Sequence, residues 1–279
     1  GPVIPSYTIA QVRGVDSLGV LDSTGTYCKL TGTVTSIDFD GNSGYGFYIS
    51  DGTRGINVYR SSDLSNYTSP TMGDQLRVVG SIGQYRGLSQ IAVDSITLIS
   101  QNNALPTPAL VTTLDESTEG ELILLENVAL VDTNDWPSSR TSRNIEIYTG
   151  NGDTLTMRID YDADIYGNTP TGSFDLVGMG GQFKYSSPYT SGYQILPRGS
   201  SDITINAIAC SDMIDSVQTI NVAQGVYRVH LNGPLPAATS YTVEWKPDTA
   251  SVYRSKTFTK ANLPYMNINV TPWFNNTIV

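Results

Sequence analysis

The sequence contains one histidine and two cysteines, which limits the catalytic chemistry it can support. His230 lies in the alternating stretch 227–231, where it is predicted to point outward from a strand. A histidine-dependent catalytic triad or a histidine metal cluster cannot be built from this residue alone. We therefore predict that the chain is not an enzyme.

Three carboxylates at alternate positions, Asp160, Asp162 and Asp164, form the candidate metal site, and Asp38 with Asp40 is a looser version of this spacing. Oxygen-rich spacing of this kind can bind calcium. However, the sixth position of the loop is Ile165 instead of glycine, and no glutamate follows at the twelfth. These departures favour a polar loop between strands, with a weak calcium site as the alternative. No other cofactor is predicted.

A duplicated sequence identifies the elements that must position any binding residues. The phrase at 78–85 recurs 98 residues later at 176–183, and each copy follows a matching hairpin, at 47–53 and 145–152. A repeat of that length corresponds to a domain and not to a solenoid unit. Abundant Thr, Tyr and Gly, with period-two alternation, predict β-strands and tight turns in both copies.

The predicted strands resemble the OB-fold, a five-stranded Greek-key barrel. Each copy has a connector between its third and fourth strands and a closing hairpin. The predicted strands are 26–37, 44–51, 55–60, 75–82 and 88–98, then 122–130, 144–152, 153–159, 174–183 and 193–205. We predict an all-β protein with two tandem OB-like Greek-key barrels followed by an immunoglobulin-like β-sandwich module.

The predicted domains are a lead-in with a short helix (1–25), barrel 1 (26–101), an extended linker (102–119), barrel 2 (120–205) and a sandwich-like module (206–279). The last module is short for a complete sandwich, so we expect the chain to be a piece of a longer polypeptide. Cys28 and Cys210 fall in different domains and are predicted to be free and buried.

Two motifs extend the resemblance to a group of proteins. The stretch 7–11 (Tyr-Thr-Ile-Ala-Gln) precedes barrel 1, and 181–183 with 193–198 (Tyr-Gln-Ile-Leu-Pro-Arg) closes barrel 2. The phrasing is similar to tandem OB-fold-like modules of exported Bacteroidota proteins, which also occur beside secreted nucleases. The resemblance implies an extracellular or cell-surface binding or structural module that works with other protein chains of a larger assembly. Asp-Ser and Asp-Thr pairs, among them 16–17 and 94–95, resemble O-glycan acceptors of such proteins.

Aromatic and basic side chains on the outer faces of the barrels are the candidate ligand-binding residues. Alternation places Phe47, Ile49, Ile56 and Val58 in the first core and leaves the intervening residues on the face that OB-folds use for binding. The candidates in barrel 1 are Tyr48, Arg54, Tyr59, Arg60, Tyr85 and Arg86; those in barrel 2 are Tyr148, Arg158, Phe183, Lys184, Tyr185, Tyr189 and Tyr193.

Three alternatives stay open for this surface. Exposed tyrosines are ordinary in strands, stacking on them suits single-stranded bases, and it suits sugar rings equally. The formal charge of −10 and a pI of about 4.4 oppose general nucleic-acid binding. No apolar run approaches the roughly 18 residues that span a bilayer, so membrane insertion is not predicted.

Overall fold

Strand pairing in the computed structural model closes the first five strands into a barrel. The structure describes residues 3–41, 43–170 and 172–206, together with the backbone of five later strands between residues 214 and 269. Barrel 1 has the order β1-β2-β3-β5-β4, with β3 and β5 parallel and the other pairs antiparallel. Its strands are β1 (Tyr27–Val34), β2 (Tyr45–Ser50), β3 (Gly55–Arg60), β4 (Gln75–Tyr85) and β5 (Leu88–Ser100).

The core of barrel 1 follows from the alternation in these strands. Phe47, Ile49, Ile56 and Val58 are fully buried, as predicted. Cys28 is buried and free, which confirms the prediction for this cysteine, while Cys210 lies outside the described residues. Burial of these apolar side chains is the main term that stabilises the barrel.

A short helix, α1 (Ile9–Val12), covers part of this core. Thr8 and Gln11 form a reciprocal capping box at its N-terminus, and Ile9 and Val12 pack into the barrel 1 core. Asp51 holds the helix to the β2–β3 turn: its carboxylate accepts hydrogen bonds from the backbone N–H of Ile9 (2.7 Å) and from Thr53 Oγ1 (2.6 Å). The helix is therefore fixed by one carboxylate as well as by apolar packing.

Replacing Asp51 with alanine is expected to lower the free energy of unfolding by about 1–3 kcal/mol at neutral pH. Burial alone would raise the pKa of Asp51, but hydrogen bonds from the Thr53 hydroxyl and from the backbone of Ile9, Thr53 and Arg54 outweigh it and lower the pKa. The ionised carboxylate therefore stabilises the fold above its unfolded pKa of about 3.9, and this contribution is lost as the pH falls through the lower folded value.

Denaturant unfolding of the Asp51→Ala variant and the wild type at several pH values measures this effect. The difference between the two proteins is expected to shrink as the pH falls below about 3.9. Asp153→Ala, which removes an exposed carboxylate near the β8–β9 turn defined below, is the matched control. Equal losses in the two variants would contradict the assigned role of Asp51.

The second copy of the repeat forms a barrel with the same connectivity. Its sheet has the order β12-β10-β11-β9-β8-β7-β6, and an additional pairing between β10 and β7 closes β7–β11 into a five-stranded ring, barrel 2. The strands are β6 (Ala109–Leu110), β7 (Leu122–Leu130), β8 (Arg143–Tyr148), β9 (Thr154–Ile159), β10 (Phe174–Gln182), β11 (Tyr193–Leu196) and β12 (Ile203–Ile205). The predicted tandem of OB-like barrels is confirmed.

The repeated phrase has the same structural use in both barrels. Gln84 Nε2 donates to the carbonyl oxygens of Gly19 and Gly87, and Gln182 Nε2 donates to those of Tyr189 and Ser191. Each glutamine therefore stands at the end of the fourth strand of its barrel and ties down neighbouring loops.

Two predicted segments differ from the structure. The stretch 193–205 is not one strand: it breaks between β11 and β12, because Pro197 has no N–H to continue the ladder and Arg198 donates three hydrogen bonds to the Asp202 carboxylate. The segment 102–119, predicted as an extended linker, supplies β6, which pairs with β7.

The remaining strands belong to a second compact unit, Thr171–Ser173 with Ile205–Val279, while both barrels lie in the first, Gly1–Pro170 with Phe174–Thr204. They form a three-stranded sheet, β13-β14-β17, and a two-stranded sheet, β15-β16, both antiparallel. These are β13 (Ile214–Asn221), β14 (Val226–Leu231), β15 (Ser240–Trp245), β16 (Arg254–Thr259) and β17 (Tyr265–Asn269). The turns of the predicted sandwich and the side chain of His230 lie outside the described residues. No helix in the described part of the chain is long and apolar enough to cross a bilayer.

Candidate functional site

A small apolar cluster joins the two barrels. Tyr48, on the outer face of β2, packs with Leu122, Met179 and Leu196 of barrel 2. Phe39 meets the Tyr48 ring edge-on, with centroids 6.2 Å apart. The outer face of β2 is thus covered by the second barrel and is only 2% exposed at Tyr48.

Buried charges reinforce the same junction. Arg13 Nη1 donates to the carbonyl oxygens of Gly55 (2.6 Å) and Glu119 (3.0 Å), and Nη2 lies 3.2 Å from carboxylate oxygens of both Glu116 and Glu119. The Arg13 and Glu119 side chains are 1% and 0% exposed. Burial raises the pKa of Glu119, while the Arg13 cation acts in the opposite direction.

Beside this junction, the barrels line an open cleft of about 490 Å³, which we call the interbarrel cleft. This volume falls within the roughly 300–1,000 Å³ typical of ligand sites. Tyr48, Asn57 and Gln90 form a row across β2, β3 and β5, because they are register partners. The barrel 1 lining consists of Phe39, Gly46, Tyr48, Asn57, Tyr59, Tyr85, Leu88 and Gln90.

Barrel 2 supplies the opposite side from β9, β10, β11 and the residues that follow them. Gln194 is brought to the cleft because β11 pairs with both β9 and β10. The barrel 2 lining consists of Arg158, Asp160, Gln182, Phe183, Gln194 and Leu196. The cleft therefore combines aromatic rings with four side-chain amides, which are donors and acceptors at once.

Arg86 organises the aromatic rim at one end. Its guanidinium lies 3.7 Å from the centroid of the Tyr185 ring and 5.6 Å and 5.7 Å from those of Phe183 and Tyr85. The Arg86 carbonyl oxygen accepts a hydrogen bond from the N–H of Lys184 (2.6 Å). The fourth-to-fifth-strand loops of the two barrels are thus tied together.

The other end of the cleft is acidic. Burial raises the pKa of Asp160, partly opposed by the hydrogen bond from the Asp162 N–H and by Arg158, 4.0 Å away. Burial also raises the pKa of Asp38, against hydrogen bonds from the N–H groups of Gly46 and Asp40. Asp160 accepts a hydrogen bond from the Asp162 N–H and pairs with one cation, Arg158.

The structure brings five of the predicted binding residues together in the cleft: Tyr48, Tyr59, Tyr85, Arg158 and Phe183. Arg86 and Tyr185 join them at the rim. The prediction that Tyr48 is exposed is wrong, because barrel 2 packs over it. Tyr59, Tyr85 and Phe183 are 40%, 57% and 54% exposed and present open ring surface.

Other predicted residues lie elsewhere. Arg54 pairs with Glu121 (3.1 Å), and Arg60 donates to the Val93 carbonyl and lies 3.9 Å from Asp94. Tyr148, 44% exposed on β8, is outside the cleft lining. Lys184 is half-buried, the Tyr189 carbonyl oxygen accepts a hydrogen bond from Gln182, and the Tyr193 hydroxyl lies near Glu116.

Sequence reasoning missed several cleft residues: Phe39, Leu88, Gln90, Gln182, Gln194 and Leu196. Part of the signal was present, since Gln182 belongs to the repeated phrase and Gln194 to the motif that closes barrel 2. What the sequence lacked was the parallel pairing of the third and fifth strands, which places Gln90 beside Asn57.

The three alternating aspartates do not converge. Asp160 Oδ1 caps a short 3₁₀ helix by accepting from the Asp162 N–H, Asp162 lies 3.8 Å from Arg140, and Asp164 is exposed in the left-handed region (φ 53°). Among the described residues, no group of three or more His, Cys, Asp or Glu side chains is placed to hold a metal ion.

The sequence matches no known family and no curated protein. Among solved structures, the HIN2 domain of p202, from its tetrameric crystal structure, is similar at 11% identity and a TM-score of 0.28. The match covers 67% of this chain and 94% of that one.

Proposed function

We propose that this chain is a non-enzymatic binding module of an exported or cell-surface protein, and that the interbarrel cleft is its ligand site. The observation that carries the proposal is the convergence of open aromatic rings and amides from both barrels in one cleft. In this proposal the chain works within a larger assembly of protein chains, as its resemblance to exported modules implies.

The cleft lining supports a binding role over a catalytic one. Among the described lining residues, Asp160 is the single carboxyl group, and serine, threonine, cysteine, histidine and lysine are not represented. Hydrolysis of glycosidic bonds, for example, normally requires two carboxyl groups on opposite sides of the bond. Asp160 instead pairs with Arg158.

Replacing Tyr59 or Phe183 with alanine is expected to weaken ligand binding about tenfold, because each removes one stacking face. The test is a binding screen of the full chain against neutral oligosaccharides and single-stranded oligonucleotides, followed by mass analysis of the ligand to detect turnover. Tyr148→Ala is the matched control, since this strand tyrosine is similarly exposed but lies outside the cleft.

Two outcomes of this screen would contradict the proposal. If Tyr148→Ala weakens binding as much as Tyr59→Ala does, the ligand binds outside the cleft. A ligand that is chemically converted shows that the chain is an enzyme. Circular dichroism of each variant checks that the barrels remain folded.

Nucleic acid is the second candidate ligand, in a module that serves a secreted nuclease. The observation that favours it is the rim, where Arg86 stacks beside the exposed Tyr85, Phe183 and Tyr185. Among the described residues, Arg86 takes part in no ion pair, so its charge is available to a phosphate.

A further inference from the structure

The charge balance of the interbarrel cleft identifies a class of ligand. We propose that the cleft binds a neutral oligosaccharide, an inference that rests on the function proposed above and specifies its ligand.

Three of the predicted arginines lie beside carboxylates, whereas Arg86, at the rim, lies against the Tyr185 ring instead. Arg54 is neutralised by Glu121, and Arg158 by Asp160. Arg60 donates to a backbone carbonyl and lies near Asp94. These cations are therefore already matched by nearby carboxylates, so they offer a phosphate backbone little net attraction.

The charges of the cleft lining are balanced. Arg158 is the one cation and Asp160 the one anion among its described lining residues, so the net charge of the lining is zero. Asp38 and Asp40 lie close to the Asp160 end and would repel a phosphate chain that ran the length of the cleft. A neutral ligand meets no such penalty.

The aromatic rings and amides of the lining correspond to the two kinds of surface on a sugar ring. A sugar ring has an apolar face of C–H groups and an edge of hydroxyls that both donate and accept. Tyr59 and Phe183 offer exposed aromatic surface to the C–H face, while the partly exposed Gln90 and Gln194 carry amides that suit the hydroxyls. Together with Asp160 and Arg158, these residues allow both barrels to form hydrogen bonds with neighbouring hydroxyls of the sugar.

The distribution of the lining residues along the cleft indicates the length of its ligand. On the barrel 1 side the lining follows the strands, from Gly46 and Tyr59 through Asn57 and Gln90 to Leu88 and Tyr85. Its aromatic residues are thus spread along it and do not form one closed pocket. This arrangement suits several linked sugar units better than a single monosaccharide.

Isothermal titration of the full chain tests the proposal. The probes are neutral hexasaccharides of glucose, mannose, galactose and xylose, with an oligothymidylate, each at about 50 and about 200 mM salt. At least one hexasaccharide is expected to bind, with an affinity that changes less than about twofold between the two salt concentrations. Tyr59→Ala is expected to weaken it about tenfold and Tyr148→Ala to leave it unchanged.

The other outcomes separate this inference from the proposed function. If only oligothymidylate binds, with a loss of about fivefold or more at the higher salt and a dependence on Tyr59, the ligand class is overturned and the cleft remains a binding site. A second variant, Gln194→Ala, is titrated in the same way. If a hexasaccharide binds to Tyr59→Ala and to Gln194→Ala as tightly as to the wild type, the cleft is not its site. If no probe binds, both proposals fail.

Discussion

Replacing Arg13 with alanine is expected to lower the free energy of unfolding by about 3–5 kcal/mol, because it leaves a buried carboxylate without its cation. Glu119 is fully buried at the junction of the barrels and also accepts a hydrogen bond from the Ser89 N–H (2.9 Å). Arg13 in addition satisfies the carbonyl oxygens of Gly55 and Glu119. The substitution therefore removes contacts to both barrels at once.

The loss is expected to depend on pH. Burial raises the pKa of Glu119 even in the wild type, and removal of the Arg13 cation raises it further. A carboxyl whose pKa is raised by folding destabilises the fold progressively as the pH rises above its unfolded value of about 4.3. The deficit of Arg13→Ala should therefore shrink toward acid pH, and adding Glu119→Gln should recover part of it.

Denaturant unfolding measures this effect, with Arg143→Ala as the matched control. Arg143 pairs with Asp135 at 2.7 Å, but both side chains are 43% exposed, so its loss should cost less than about 1 kcal/mol. If Arg13→Ala were no more destabilising than Arg143→Ala, the junction would not depend on this ion pair.

Replacing Gly55 with alanine is expected to lower the free energy of unfolding by about 3 kcal/mol, the upper end of the range for overpacking. A Cβ on Gly55 would overlap the carbonyl oxygen of Gly120, which is backbone and belongs to the opposite side of the junction. The Gly55 N–H donates to Glu121 (2.9 Å) and its carbonyl accepts from Arg13, so β3 has little freedom to retreat.

This substitution should also weaken ligand binding, because the two sides of the cleft are held together at the same junction. Gly83→Ala is the control: Gly83 lies in β4 of the same barrel, and a Cβ there meets nothing within 4 Å. Its effect on stability should stay within about 0.5 kcal/mol. Thermal unfolding and ligand titration of both variants make the comparison, and equal behaviour would show that the backbones at Gly55 and Gly120 are free to separate.

The fold was predictable because the repeat and the period-two alternation are local signals. They placed β3 and β7 at their observed bounds and assigned Phe47, Ile49, Ile56 and Val58 to the core. The predicted strand over 193–205 was wrong because Pro197 lies inside the stretch and ends the ladder.

The site was predictable only in part, because it depends on how one barrel packs against the other. Alternation correctly placed Tyr48 on the outer face of β2, but only the structure shows that Leu122 and Met179 cover it. Gly55 does not adopt a left-handed φ angle, so it is not part of a turn motif that the sequence would show. Its importance comes from the close approach of Gly120, which lies far along the chain. Contacts of this range leave no periodic trace in the sequence.

An NMR titration that follows side-chain amide resonances from both barrels tests directly whether the interbarrel cleft binds the ligand. Neutral hexasaccharides are added to the ¹⁵N-labelled full chain, and the signals of Asn57 and Gln90 are compared with those of Gln182 and Gln194. A ligand in the interbarrel cleft shifts both sets together, with one apparent Kd. Shifts confined to one barrel, or shifts near Tyr148 with the four amides unchanged, would show that the ligand does not bind in the cleft.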